Sequence, residues 1–242
     1  MKIDLSFTHI PVTDDKLKNH LVAVVDVLRA SSTICEALRN GAKEIIPLAE
    51  VSEAMELTGK LSRDNVLLCG EREGNIIPGY DLGNSPLEYS REMVQGKTLI
   101  FTSTNGSVAM TKAASAKSAI IVSFNNISAA VDYILRAGED LTIICSGNNM
   151  QFAMEDAVCG GMMVNMLCQQ SEDAVELNDG AQAAVILFQK FRSKYRQLLV
   201  RCFHGRYLKS LGYDQDLEFC SQVDSNNAIP VLKEGKIILN TE

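Results

Sequence analysis

The chain has 242 residues, and its 23 Lys and Arg against 30 Asp and Glu give a net charge of −7 and a pI near 5.1. This length suits one large α/β domain, and 46% hydrophobic residues supply a packed core, which excludes global disorder. The acidic balance argues against nucleic acid as a partner, because phosphate backbones are bound by clustered Lys and Arg.

Strand and helix patterns alternate along the first two-thirds of the chain. Residues 21–27 predict a buried strand that is apolar on both faces, and residues 31–38 predict a helix opened by a Thr33/Glu36 capping box. Ser85-Pro86-Leu87-Glu88 predicts another helix start, with Ser at the cap and Pro at the first position. Further strands are predicted at 43–48, 66–69, 98–103, 118–122 and 141–145, and further helices at 51–60, 107–114, 127–136 and 153–168.

This alternation predicts a three-layer α/β/α fold with a mostly parallel or mixed sheet. Residues 178–220 look helical, and residues 229–232 and 236–239 predict a hairpin. We expect one compact unit over residues 1–242. A degenerate duplication of two α/β halves, 1–96 and 97–242, is an option that the sequence leaves open.

The cysteines and the apolar segments favour a reduced, cytoplasmic protein. No pair of the seven cysteines has C-x-x-C spacing, which argues against a thiolate zinc site and a disulfide framework. The near-apolar residues 157–168 are too few to span a bilayer, which needs about 20. No membrane partner is expected, and a homodimer is one option for the assembly.

Polar residues follow the first predicted strand. A carboxylate such as Asp26 at the end of a buried strand is costly unless it is paired or bound to metal. Arg29, Ser31 and Ser32 then stand at a helix N-terminus, which suits an anion. The alternative is that Asp26 pairs with Arg29 and a hydroxyl merely caps the helix.

Later strand ends carry similar groups. The Gly-rich segment from Gly70 contains acids that suit metal binding or proton transfer, although such a segment can be a simple loop. Residues 103–106 suit an anion cradle and lack the Lys of a Walker A loop. The residues around Ser146, followed by Glu155 and Asp156, add oxygen ligands of the kind that Mg²⁺ prefers, and His204 is either a proton shuttle or a structural residue.

Taken together, these segments resemble the 2-phosphosulfolactate phosphatase family. The resemblance rests on residues 25–33, Gly70-Glu71-Arg72, residues 81–86, Thr104-Asn105-Gly106 and Glu155-Asp156, and it continues through His204-Gly205-Arg206 to Pro230. It implies a Mg²⁺-dependent acid phosphatase that converts 2-phospho-3-sulfolactate into 3-sulfolactate in coenzyme M biosynthesis. It also implies the same three-layer fold.

A set of roles follows from the residues and this resemblance. We expect Asp26, Asp156 and Glu155 to bind Mg²⁺, and Asp26, Glu71 and His204 to act in catalysis, with Glu71 or His204 as the leaving-group acid. The expected substrate is a small anionic hydroxy acid that is phosphorylated and sulfonated. Its expected contacts are Arg29, Ser31, Ser32, Arg72, Asn84, Ser103, Thr104, Asn105, Gly106, Ser146 and Gly147.

Three alternatives remain to be weighed. A haloacid-dehalogenase-type phosphatase is rejected, because Leu28 stands where its second Asp would be, although covalent catalysis by Asp26 stays open and direct attack by water is favoured. The others are a phosphatase for a different phosphorylated hydroxy acid and a non-catalytic protein that binds Mg²⁺ or an anion.

Overall fold

The computed structural model describes residues 1–61 and 65–241, in which eleven strands form one mixed sheet with helices packed on both of its faces. This arrangement confirms the predicted α/β fold class. The described strands are β1 (Lys2–Ser6), β2 (Leu21–Val25), β3 (Glu44–Leu48), β4 (Val66–Arg72), β5 (Asn75–Ile76), β6 (Thr98–Thr102), β7 (Ser118–Val122), β8 (Leu141–Cys145), β9 (Glu176–Leu177), β10 (Pro230–Lys233) and β11 (Lys236–Leu239).

The described helices surround this sheet. They are α1 (Asp14–Leu17), α2 (Ala30–Arg39), α3 (Val51–Gly59), α4 (Arg91–Val94), α5 (Gly106–Ala113), α6 (Ile127–Ala137), α7 (Met154–Gln170), α8 (Asp179–Phe191), α9 (Tyr195–Arg201), α10 (Phe203–Ser210) and α11 (Asp214–Cys220). Among the described residues, no helix combines the length and the apolar character that crossing a membrane would need.

The strand order is β5-β4-β6-β3-β11-β10-β7-β2-β8-β1-β9. One parallel set contains β4, β6 and β3, and the other contains β7, β2, β8, β1 and β9. The predicted hairpin of β10 and β11 is present, and it joins the two sets through antiparallel pairings on both sides. The two sets therefore run in opposite senses within the sheet, and the twist of about 20–25° per strand accumulates between them.

Strand β2 places the start of the site in the core. All five of its residues are buried, with Leu21, Ala23 and Val25 packed toward helices α6 to α11 and the other two packed toward α2 and α5. The predicted burial on both faces is confirmed. The chain leaves this rigid strand directly into Asp26 and α2, so packing fixes the position of the carboxylate.

Two predicted capping boxes are wrong, although both helical segments begin within one residue of the predicted position. Thr33 and Glu36 do not form a capping box: the cap position is Arg29, and the Thr33 hydroxyl instead donates to the carbonyl of Asn84. The segment from Ser85 forms only a short 3₁₀ turn at Pro86–Glu88, because Glu88 accepts from the Gly83 N–H instead of closing a capping box. In both cases a tertiary contact replaces the expected local one.

Candidate active site

A cavity of about 280 Å³ opens where the carboxyl ends of β2, β4 and β6 meet, and helix α10 forms one of its walls. It adjoins a second cavity of about 440 Å³, with which it shares residues of the loop after β8 and the start of α10. The predicted site residues that line the first cavity are Asp26, Arg29, Glu71, Asn84, Ser103, Thr104, Asn105 and His204.

Asp26 lies between the first turns of two helices. Its Oδ1 accepts from the Ala30 N–H of α2 at 3.1 Å, and a Cβ added to Gly106 of α5 would lie 2.6 Å from Oδ2. Burial and, to a smaller extent, the negative charges of Glu71 and Glu155 outweigh the hydrogen bond from Ala30 and raise the pKa of Asp26 to about 7. Gly106 is thus explained by close approach to the carboxylate, and in the metal-free protein Asp26 loses its proton only as the pH passes through about 7.

Asp156 stands behind Asp26, away from the cavity lining. Its Oδ1 accepts from the Val27 N–H at 2.9 Å and its Oδ2 from the Gly147 N–H at 3.1 Å. Burial, then the charges of Asp26 and Glu155, raise the pKa of Asp156 well above its usual range. The hydrogen bonds make Asp156 a clamp between the loops after β2 and β8.

Glu155 faces a different direction from its neighbour. It is 2% exposed, lines the second cavity, and places Oε1 3.7 Å from Nδ1 of His204. Consecutive helical residues are about 100° apart around the axis, so the two acids of α7 cannot point into one cavity. Of this pair, Glu155 is the carboxylate available to a ligand.

Glu71 is held by the segments on either side of the cavity. Its carboxylate accepts from the N–H of Gly74 at 2.8 Å, from the N–H of Thr104 at 2.7 Å and from the Thr104 hydroxyl at 3.2 Å. Since these bonds link the loop after β4 to the loop after β6, Glu71 fixes the cavity wall as well as lining it.

Arg29 is anchored away from Asp26. Its Nη1 donates to Oδ2 of Asp216 at 2.6 Å, its Nη2 donates to the Gly74 carbonyl at 2.8 Å, and its guanidinium lies 4.2 Å from the ring centre of Tyr213. The alternative in which Arg29 pairs with Asp26 is therefore wrong. The guanidinium still lines the cavity, and three of its five N–H groups are not used by these two hydrogen bonds.

Ser31 and Ser32 are fully buried in α2 and do not line the cavity. The Ser31 hydroxyl accepts from the Asp26 N–H at 3.0 Å, and the Ser32 hydroxyl donates to the Val27 carbonyl at 3.1 Å. Both side chains bind the backbone around Asp26. The structure therefore places them as supports of the strand-to-helix turn, one layer behind the cavity.

The loop from Ser103 to Gly106 forms the opposite wall. Ser103 Oγ accepts from the Ser107 N–H at 2.8 Å, and Ser107 Oγ accepts from the Ser103 N–H at 3.0 Å. Asn105 Oδ1 accepts from the Asn149 N–H at 2.9 Å, which ties this wall to the loop after β8. The Ser103 hydroxyl accepts a bond without giving up its own proton there, so it can donate to an anion in the cavity.

Of the four remaining predicted substrate contacts, only Asn84 lines the first cavity. Its buried Oδ1 has no hydrogen-bond partner. Ser146 is buried beside Asp26, where its hydroxyl lowers the carboxyl pKa. Gly147 supplies only a backbone N–H to Asp156, and Arg72 donates to the carbonyl of Ala49 outside the cavity.

The C-terminal helices contribute the predicted residue His204 and two aromatic residues that the sequence patterns did not single out, Phe203 and Tyr207. His204 lines both cavities; burial lowers its pKa, and the charges of Glu155 and Glu71 partly offset that shift. Phe203 and Tyr207 line the mouth and are 72% and 40% exposed. Asp216 is buried under the site; it belongs to the C-terminal segment that carries the family resemblance, but the sequence assigned it no role.

Comparisons with known proteins agree with this geometry. The family model for 2-phosphosulpholactate phosphatase matches residues 7–235. The chain belongs to the 2-phosphosulpholactate phosphatase family. Curated relatives named "Probable 2-phosphosulfolactate phosphatase" include those from Caldanaerobacter subterraneus subsp. tengcongensis (41% identical over 94% of both chains), Clostridium beijerinckii (35%, 98% of this chain and 99% of the relative) and Thermotoga maritima (40%, 89% and 90%).

Membership of the 2-phosphosulpholactate phosphatase family confirms the predicted family and the predicted enzyme class, a phosphoric monoester hydrolase. Every strand end that the resemblance used contributes to the cavity or to the layer behind it. Asp26, Glu71 and the loop from Ser103 meet there although they belong to oppositely running parts of the sheet.

The donors of this phosphatase-family site fit a hard divalent cation. In residues 1–61 and 65–241, no three His, Cys, Asp or Glu side chains already form a metal cluster. Mg²⁺, however, is usually held by one or two carboxylates, with waters and substrate phosphates completing its shell. Asp26 and the unpartnered oxygen of Asn84 belong to residues lining the first cavity, and the charge of Glu155, which lines the adjoining cavity, acts on Asp26. The chemistry of these oxygen donors therefore suits Mg²⁺.

Proposed function

We propose that this chain is a Mg²⁺-dependent phosphatase that hydrolyses 2-phospho-3-sulfolactate to 3-sulfolactate and phosphate, as a step of coenzyme M biosynthesis. The observation that carries the proposal is the match to the family model over residues 7–235, with Asp26 and Arg29 of the matched segment lining one cavity. Two relatives named probable 2-phosphosulfolactate phosphatase are 41% identical to this chain over 94% and 93% of their length.

In this proposal Asp26 and Glu155 hold the cation. Asp156, which the sequence favoured as a ligand, instead orients the loops around Asp26, because it lines neither cavity and both of its oxygens accept from backbone N–H groups. Bound Mg²⁺ would supply positive charge that offsets the phosphoryl oxygens in the transition state. Because burial raises the pKa of Asp26, such a counter-charge would favour its ionised form.

Arg29 and the loop from Ser103 bind the anionic groups of the substrate. The guanidinium offers N–H groups on one side of the cavity, and the hydroxyl of Ser103 and the amide of Asn105 line another side. Asn84 adds an unpartnered amide oxygen for a hydroxyl or a bound water of the ligand. An acidic protein thus presents local donors to an acidic substrate.

His204 donates the proton to the leaving hydroxy acid. It lines both cavities and stands 3.7 Å from Glu155, which orients the ring. Its lowered pKa makes the protonated ring a stronger acid and reduces the fraction that is protonated at neutral pH, so this role predicts that activity falls as the pH rises through the pKa of His204. Glu71 is less suited to this role, because its carboxylate already accepts three hydrogen bonds from the cavity walls.

The test is phosphate release from a panel of 2-phosphorylated hydroxy acids, with Mg²⁺ or with a chelator. We expect 2-phospho-3-sulfolactate to have the highest kcat/KM, activity to need Mg²⁺, and Asp26→Asn to lose both turnover and calorimetric Mg²⁺ binding. Asp132→Asn, an exposed acid on α6, is the matched control and keeps both. A higher kcat/KM for another ester contradicts the substrate, and binding without any turnover favours a non-catalytic protein.

The cytoplasmic location, the homodimer and the single unit spanning the whole chain stay predictions.

A further inference from the structure

We infer that Asp216, on the C-terminal helix α11, is a positioning residue that holds the Arg29 guanidinium in place for anion binding. The inference rests on the proposed function of Arg29 in substrate binding. Asp216 does not line the cavity itself and acts only through Arg29.

The two side chains belong to a buried network that spans 187 positions of sequence. Asp216 Oδ2 accepts from Arg29 at 2.6 Å, and Asp216 Oδ1 accepts from the Ser85 hydroxyl at 2.6 Å. Arg29 and Asp216 are each 2% exposed, and Ser85 is 5% exposed. The carboxylate is thus fixed at both oxygens before it holds the guanidinium.

Two further contacts complete the restraint on Arg29. The Gly74 carbonyl accepts from Nη2 of Arg29. The Cζ atom of Arg29 lies over the ring of Tyr213, 4.2 Å from the ring centre. A planar guanidinium held at two nitrogens and one face has little rotational freedom left. An anion that enters the cavity therefore binds without the entropy cost of ordering a long side chain.

Stability alone is a weak reason for this arrangement. Burying two charges costs hydration free energy, and the attraction between them barely offsets that cost. An apolar pair of similar volume stabilises a core at least as well. Asp216 also reduces the positive potential of Arg29, which by itself weakens anion binding. A function in positioning explains why the pair nevertheless lies at the wall of the cavity.

The experiment compares Asp216→Asn with Asp214→Asn. Asp214 lies on the same helix but forms an exposed ion pair with Lys209, which makes it a matched control. The affinity for inorganic phosphate is measured by calorimetry with Mg²⁺, together with kcat and KM. We expect Asp216→Asn to weaken phosphate binding and raise KM at least tenfold with a smaller change in kcat, and we expect the control to match wild type.

Guanidinium rescue separates positioning from a merely structural role. Added guanidinium is expected to restore activity to Arg29→Ala, because Asp216 and the Gly74 carbonyl remain to hold it, and not to Arg29→Ala/Asp216→Asn. Where Asp216→Asn fails to fold, Ser85→Ala keeps the ion pair, loses one restraint and is expected to weaken phosphate binding in the same direction. Phosphate affinity of the folded variant equal to that of the control, or equal rescue of both Arg29 variants, overturns the inference. Since affinity is measured without turnover, a protein that binds phosphate but hydrolyses no ester contradicts the proposed function alone.

Discussion

Replacing Asp26 with Asn in the metal-free protein is expected to raise stability at alkaline pH while it removes activity. Asp26 has an ordinary pKa of 3.8 and a folded-state pKa of about 7, a difference of about three units. At 1.36 kcal/mol per unit, ionised Asp26 costs the folded state about 4 kcal/mol once the pH exceeds 7. Asn does not titrate and still accepts the Ala30 N–H, so it avoids this cost.

The sign of the pH dependence follows from the raised pKa. Below pH 4 the carboxyl is protonated in both states and its stabilisation is fully present. At pH 7 the carboxyl of Asp26 is already ionised in the unfolded state. As the pH rises through 7 it ionises in the folded state as well, which lowers the free energy of unfolding. The wild type is therefore expected to lose stability relative to Asp26→Asn across this window.

Urea unfolding at several pH values between 4 and 8, with a chelator present, measures this difference. The chain has no Trp, so circular dichroism is the suitable signal. Asp132→Asn is the control and is expected to follow wild type at every pH. A gap between wild type and Asp26→Asn that stays constant within about 0.5 kcal/mol from pH 4 to 8 refutes the reasoning. Adding Mg²⁺ is expected to stabilise wild type and the control but not Asp26→Asn.

Three more predictions concern the same cavity. Gly106→Ala is expected to lower the thermal midpoint and abolish activity, because its Cβ would lie 2.5 Å from the Cβ of Ala30; unchanged midpoint and kcat/KM contradict this. Arg29→Lys keeps the charge but cannot reach both Asp216 and Gly74. The fall in kcat/KM should correspond to a loss of about 1–3 kcal/mol in transition-state binding. A fall in stability alone points to a structural role. A substrate whose phosphoryl group is made chiral with oxygen isotopes should react with inversion at phosphorus, as a single attack by water requires, and retention instead shows covalent attack by Asp26 followed by hydrolysis.

Local chemistry made part of this site predictable. The buried run of β2, the acid after it and the donors that open α2 are contiguous in sequence, and so is the loop from Ser103 that opens α5. Each of these elements is determined by residues that are close in sequence. The structure therefore contains the predicted elements, with boundaries shifted by one or two positions. The ligand-binding end of the strands was predicted on the same basis.

The errors arise where a distant partner overrides a local preference. The Thr33 hydroxyl is taken by the Asn84 carbonyl, and Ser85 donates to Asp216 instead of capping a helix. The partner of Arg29 lies in the C-terminal helices, far beyond the reach of any spacing rule. Asp156 is predicted to bind metal beside Glu155. Adjacent residues of a helix point to different sides, so these two carboxylates do not face the same cavity.

The position of the β10–β11 hairpin has a consequence for synthesis of the chain. These two strands join the parallel sets, yet they are translated after every other strand of the sheet. Until they emerge from the ribosome, β3 and β7 are open edges whose N–H and C=O groups offer pairing sites to other nascent chains. The two parallel sets of strands are therefore joined late and through contacts of long sequence separation. This slows folding and exposes both sets to chaperones and to aggregation.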